Sequence, residues 1–203
     1  MFSLPAVSLS RFRAWNLDRG AGRLKEALWL IVRSVVFLHM PFPLYAFRRW
    51  LLRRFGAQVG RGVIIKPGVR ITFPWKLVIG DNAWLGEECW ILNLDHVTIG
   101  ADVCISQRAM VCTGSHDWRS PGFDLILKPL TLESGSWIAA GAFVGPGVTV
   151  GTHAVLTANS VATKDLEPYS IYQGNPAERV RARVVGLPRG KLSTAGCGRC
   201  TST

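Results

Sequence analysis

Residues 132–161 read LESGSW IAAGAF VGPGVT VGTHAV LTANSV, five consecutive units of six residues, and this period decides the fold. Each unit opens on an aliphatic residue and carries a small residue or valine in fifth place. The same frame runs upstream, with openers at Val59, Ile65, Ile71, then Ile79, Leu85, Ile91, then Ile99, Ile105 and Val111. All 14 opening positions are aliphatic, and the fourth position is Gly, Asn or Asp in nine of the 14 units, so the pattern is not a product of composition. One large and one small inward side chain per unit suit short strands, and Gly, Asn and Asp suit a turn with positive φ. Three units then make one triangular coil, and coils stack at about 4.8 Å, pairing backbone with backbone. A parallel β-helix of hexapeptide type follows, and the period of six excludes an amphipathic α-helix.

The first three coils start at 59, 79 and 99, a spacing of 20 rather than 18. Two extra residues therefore fall at one corner of each coil, Leu77–Val78 and Val97–Thr98. On that register Lys76, His96 and His116 end stacked third units and share a corner. The repeat breaks after His116 for the 15 residues Asp117–Thr131 and then resumes. An interruption beside a histidine marks the expected functional position.

Outward from the repeat, residues 1–58 read as an N-terminal helical arm. Leu24–Met40 is strongly apolar but holds Arg33 and is short for a membrane span, which needs about 20 apolar residues. Pro41 and Pro43 break it, and Tyr45–Phe55 is an amphipathic helix that sets Trp50, Leu51 and Phe55 against four arginines. Two readings stand: the arm caps the scaffold, or segment 24–56 makes a peripheral contact with an anionic membrane. Residues 59–186 form the β-helix domain with its loop at 117–131, and 187–203 read as a disordered tail.

The net charge is +11, concentrated at Arg48, Arg49, Arg53 and Arg54 and at Arg179, Arg181 and Arg183. A nearly neutral middle argues against a nucleic-acid groove and favours phosphates or a membrane surface. Cys89 occupies a small-residue position of the repeat and reads as buried, while Cys197 and Cys200 read as tail thiols, a single C-x-x-C being too little for a zinc site. No basic-then-apolar leader is evident, so a cytoplasmic setting is expected, with the inner face of the membrane as its variant.

The motifs TGSHD (Thr113–Asp117), WIAAGAFVGPGVTVG (Trp137–Gly151), SVATKDLEP (Ser160–Pro168) and GNPAERVR (Gly174–Arg181) resemble those of the hexapeptide-repeat acyltransferases. Within that superfamily they resemble the maltose, galactoside and nodulation-factor O-acetyltransferases, and most closely the colanic-acid-type exopolysaccharide enzymes. The resemblance covers roughly residues 45–185 and implies a left-handed helix, whereas the general crossover rule favours the right hand. It further implies a homotrimer with active sites between subunits, the loop of one subunit covering its neighbour's site.

The implied reaction is acetyl transfer from acetyl-CoA to a hydroxyl of a sugar or lipid-linked sugar, without a metal. A hydroxyl is a poor nucleophile at neutral pH, and His116 matches the family's general base. A backbone N–H near Trp137–Ala140 is the expected oxyanion donor. Acceptor contacts are expected from Glu88, Asn93, Asp95, His96 and Asp117. Cofactor contacts are expected from Trp137, Ala140, Ala158, Thr163, Lys164, Asn175, Pro176 and Arg179. Glu88 stands where the family has an asparagine, which leaves the acceptor open. His39 reads as packed in the arm and His153 as solvent-facing. Two other classes compete: an idle β-helix scaffold, and a carbonic-anhydrase-like zinc lyase, which requires three corner histidines where only His96 and His116 align.

Overall fold

The computed structural model describes residues 6–12, 14 and 17–186. Strands of mostly two or three residues build three parallel faces of a triangular prism of about six turns. The first face stacks Gln58–Val59, Leu77–Ile79, Val97–Ile99, Leu130–Leu132 and Thr149–Val150. The second runs from Ile64–Ile65 through Trp84–Leu85, Cys104–Ile105, Trp137–Ile138 and Val155–Leu156 to Ser170–Gln173, with Glu178–Ala182 added antiparallel. The third stacks Arg70–Ile71, Trp90–Leu92, Met110–Cys112, Phe143–Val144 and Val161–Ala162.

Register matches the repeat. Ile65 pairs with Leu85, Leu85 with Ile105, Ile105 with Ile138 and Ile138 with Leu156, so the openers form one apolar column on this face. Every opener except Val59 is buried, and each contributes roughly 1.5–3 kcal/mol by leaving water. Positive φ occurs at 11 fourth positions, including the non-glycine residues Glu88, Arg108 and His153. Of the three exceptions, Pro74 and Leu94 lie in the longer corner between the third and first faces, and Gly114 opens the hairpin that leaves the prism there.

The glycine that follows the first face is dictated by space rather than φ. A Cβ on Gly80 would lie 2.5 Å from the Ala101 backbone nitrogen of the next coil.

The arm caps the open end of the prism. Helix α1 (Arg23–Val32) runs into a wider π-type turn over Arg33–His39, and helix α2 (Tyr45–Arg54) follows Pro43. Trp29, Phe37 and Leu52 are fully buried in the same core as the coil residues. The first coil has no coil beneath it, and its carbonyls need donors. The arm supplies them: Arg48 donates to Ile65 O (3.2 Å), Arg49 to Val63 O (2.7 Å), Arg53 to Val59 O (2.7 and 2.9 Å) and Trp29 Nε1 to Ile71 O (3.1 Å). Three of the four arginines that read as a surface charge cluster are thus turned inward on backbone.

Several expectations need correction. The interruption is not a loop over 117–131 but an antiparallel hairpin of Gly114–His116 with Leu125–Leu127, and the prism resumes at Leu130. Ser115 is consequently exposed rather than inward, and His116 does not stack on His96. Leu130 pairs with Val97, so Pro129 takes the place above His96. Lys76 is buried, bonded to the carbonyls of Asp18 and Leu94. His39 is exposed and bonded to Ser34 O (2.6 Å) instead of packed. Glu178–Ala182, which carries Arg179 and Arg181 of the second charge cluster, forms a strand because Ser170–Gln173 is an open edge that a returning chain can pair. Cys197, Cys200 and the tail 187–203 lie outside the described residues.

Candidate active site

The hairpin forms because residue 113 ends the third face without turning the corner. Thr113 is buried; its Oγ1 donates to Leu92 O (3.1 Å) and accepts the Asp95 N–H (3.0 Å), fastening the exit point to the coil below. His116 then sits half-buried in the hairpin opposite Leu125. Its ring stacks on Phe123 at 4.2 Å between centroids and 8° between planes. Phe12, from the N-terminal lead-in, meets the ring edge-on at 5.5 Å. His116 Nδ1 lies 2.9 Å from Phe123 O. A carbonyl only accepts, so Nδ1 carries a hydrogen, and in the neutral ring Nε2 is the nitrogen with the lone pair. The lead-in is tied to the hairpin by a Ser8 N–H to Pro121 O bond of 2.9 Å.

Among the expected acceptor residues, Asp117 is half-buried beside His116 and its Oδ1 accepts the Arg119 N–H at 2.9 Å, which braces the hairpin turn. Asp95 and the exposed His96 lie at the corner beneath, with Asp95 Oδ1 accepting the His96 N–H (2.7 Å). Asn93 is fully buried; it accepts from the N–H groups of Thr72 and Phe73 and donates to Phe73 O. Those three bonds take up both lone pairs of the amide oxygen and one of the two Nδ2 hydrogens, and they tie the side chain to the 72–73 turn. Glu88 lies at another corner, between the second and third faces, ion-paired with Arg108 at 2.8 Å.

That second corner holds a groove of about 440 Å³, lined among others by Glu88, Arg108, Ala140, Gly141, Ala158 and Asn159. Two of the expected cofactor positions, Ala140 and Ala158, therefore share one wall, and their small side chains keep it open. Glu87 lines it too; a hydrogen bond from its own backbone N–H, then the Lys66 ammonium at 3.5 Å, hold its carboxyl below the usual range. The N–H groups of Trp137, Ala139 and Gly141 are bonded to carbonyls of neighbouring coils. That of Ala140 has no backbone partner among the described residues. Exposed Trp137 donates from Nε1 to Ser106 Oγ (2.9 Å) on the adjoining second face.

Thr163, Lys164, Asn175, Pro176 and Arg179 are exposed toward the last coils. The Val161 N–H donates to Gly174 O and the Ala177 N–H to Val161 O (2.9 and 2.8 Å), which plants the GNPA turn on the end of the third face just before Thr163 and Lys164. Arg179 is bonded to Ser170 Oγ (2.9 Å) and lies 3.3 Å from Glu167. His116 and the Ala140–Ala158 groove thus occupy different edges of the prism. Sequence reading missed Phe12, Phe123 and the exposed Trp118 near the hairpin tip; only the aromatic character of 118 and 123 within an insertion signalled any of them.

No family model matches the chain. A curated relative, the putative colanic acid biosynthesis acetyltransferase WcaF of Escherichia coli K12, is 43% identical over 176 residues, 87% of this chain and 97% of the relative. The galactoside O-acetyltransferase of the same organism is 30% identical over 138 residues, 66% of this chain and 68% of that protein. The hexapeptide-repeat acetyltransferase VCA0836 of Vibrio cholerae superposes with a TM-score of 0.67 at 28% identity, over 82% of this chain and 90% of that one. VCA0836 has also been solved with acetyl coenzyme A; that structure gives a TM-score of 0.70 at 24% identity, over 80% and 87% of the two chains.

Proposed function

The chain belongs to the hexapeptide-repeat acetyltransferase family, whose left-handed parallel β-helix it shares, and from that premise we propose that it moves an acetyl group from acetyl-CoA to a hydroxyl of a sugar with His116 as general base. The observation that carries this reading is the Nδ1 contact to Phe123 O, which leaves Nε2 of a half-buried imidazole as the free base. His116 Nε2 takes the proton of the acceptor hydroxyl as its oxygen attacks the thioester carbonyl. The Ala140 N–H is the donor for the oxyanion that this attack creates. The C–S bond then breaks, and the imidazolium returns its proton to the departing thiolate, so a hydroxyl and a thioester become an ester and a thiol. This chemistry asks for no metal.

The donor fits the groove at the second corner, where Ala140, Gly141 and Ala158 leave room for a slender pantetheine-like chain, and a solved relative carries acetyl coenzyme A. Lys164 and Arg179, with Thr163 and the turn at Asn175–Pro176, are the partners for its phosphates and adenine end. The acceptor side is formed by Asp95, His96 and Asp117 around the hairpin, with Glu88 reaching it from a neighbouring subunit. Because the hairpin and the groove lie on different edges of one prism, a site that uses both draws them from two copies, which favours a trimer. The name of the 43% identical relative points to an exopolysaccharide or cell-surface polysaccharide as the destination of the acetylated sugar, lipid-linked or free.

The test is thiol release from acetyl-CoA with candidate sugars. Wild type is expected to release CoA only when an acceptor is present, and His116→Ala to lower the rate by about 10²–10⁴. Equal rates in the two proteins would remove His116 from its role.

A further inference from the structure

The arm carries an apolar face that nothing among the described residues covers. Leu24, Leu28, Ile31 and Val35 recur at helical spacing and form one stripe, with exposures of 75, 48, 62 and 54%. Trp29 and Phe37, which point the other way, are fully buried. Across a groove of about 420 Å³ the stripe meets Trp50, on which Phe47 stacks at 5.8 Å and 13°. Both aromatic rings are exposed, at 53% and 41%. Isolated surface apolar residues need no explanation, but a continuous patch rimmed by polar groups marks an interaction site.

The rim identifies the occupant. Lys25 and Arg54 line the same groove, and Arg23 is exposed one residue before the stripe begins. Of the eight basic residues from Arg19 to Arg54, Arg48, Arg49 and Arg53 are spent on backbone carbonyls, and the single acid of the segment, Glu26, is paired with Arg19, so Arg23, Lys25 and Arg54 are the cations that serve the rim. A second copy docking through this face would bring like charges together. A phospholipid bilayer with anionic headgroups satisfies both features at once: aliphatic and aromatic side chains enter the acyl boundary while the cations meet phosphate. No helix among the described residues is long and apolar enough to cross a membrane, so the contact lies in the plane of the surface.

We propose that the face formed by Leu24, Leu28, Ile31, Val35, Phe47 and Trp50 docks the protein on an anionic membrane surface. This stands apart from the acetyl-transfer reading. It places the open end of the prism at the bilayer, through the same arm whose lead-in carries Phe12 to His116.

The experiment is flotation of the full chain with vesicles of phosphatidylglycerol and phosphatidylcholine, and with phosphatidylcholine alone. Wild type is expected to float with the anionic vesicles, less with the neutral ones, and less again as salt rises. The pair Leu28→Asp and Ile31→Asp is expected to lower partitioning about tenfold or more, and Arg23→Glu with Arg54→Glu to abolish the preference for anionic lipid. Melting temperature and CoA release in solution are expected to stay unchanged in both, since these side chains are exposed and remote from the groove and hairpin. Absence of flotation, equal flotation of the Asp pair, or a sedimentation shift showing that the pair dissolves an oligomer would each overturn the proposal.

Discussion

His116 is fixed by its neighbours more than by its own strand. The carbonyl of Phe123 sets the tautomer, and the rings of Phe123 and Phe12 hold the plane of the imidazole from two directions. Phe12 reaches the site only through the lead-in, so it acts as a positioning residue. Phe12→Ala is expected to lower kcat roughly ten- to a hundredfold by letting the ring tilt, with KM for acetyl-CoA unchanged and Phe12→Leu recovering most of the loss. An equal change in KM would instead mean that the segment shapes the donor groove. The place of His116 at the interruption was legible because its motif adjoins a break in a strict period, whereas the place of Phe12 was not, since an aperiodic segment gives no register from which to place it. Cys89 illustrates the reverse case: its place in the repeat gave its burial directly. Burial pushes its thiol from an ordinary 9.0 up to about 12. A folded value raised above the unfolded one means a contribution fully present below about pH 9 and lost as pH rises toward about 12. Cys89→Ala is therefore expected to lose less stability than wild type between neutral pH and about pH 11, as read from denaturant midpoints.

At the scale of elements, coil and cap obey different rules. The coil was readable from sequence because each unit solves the same local problem: an aliphatic residue inward, a positive-φ turn, and a glycine where the next coil passes. Gly80→Ala is expected to destabilise by about 1–3 kcal/mol, because its Cβ would meet the Ala101 backbone, which cannot step aside without shifting the ladder. The cap was only half readable. Its apolar content gave helices that pack, but the arginines looked like surface charge, since sequence does not reveal that the first coil leaves carbonyls pointing at them. Arg48 is fully buried with no carboxylate partner among the described residues and donates to carbonyls of Val36, Met40 and Ile65. Arg48→Met is expected to cost about 2–4 kcal/mol by stranding those acceptors, against less than about 0.5 kcal/mol for the exposed Arg54→Ala. Chemical denaturation of the two variants decides it, and equal losses would mean that the carbonyls find other donors. The hairpin was misjudged for a related reason: the repeat said where the coil stops, but strand pairing outside the prism follows no six-residue rule.

For the whole molecule, the decisive fact is that one chain keeps His116 and the Ala140–Ala158 groove apart. His116 projects from the corner between the third and first faces, and Ala140 and Ala158 line the corner between the second and third. In the cyclic trimer proposed above, each hairpin would meet the next subunit's groove and every site would be shared. Two inactive variants should then repair one another. His116→Ala removes the base but leaves the groove; Ala140→Trp fills the groove but leaves the hairpin, at an exposed position where the core is not disturbed. Each alone is expected to be nearly inactive. When the two chains are co-expressed in equal amounts and mix at random, an intact hairpin adjoins an intact groove with probability one half times one half, so about a quarter of wild-type CoA release is expected. Recovery needs no new contact, only the right neighbour, and it vanishes if the chains are expressed apart and mixed without exchange. If the base and groove belonged to one chain, no mixture would contain a complete site and release would stay at the level of the single variants. That outcome would sink the shared site while leaving the family, the fold and His116 untouched.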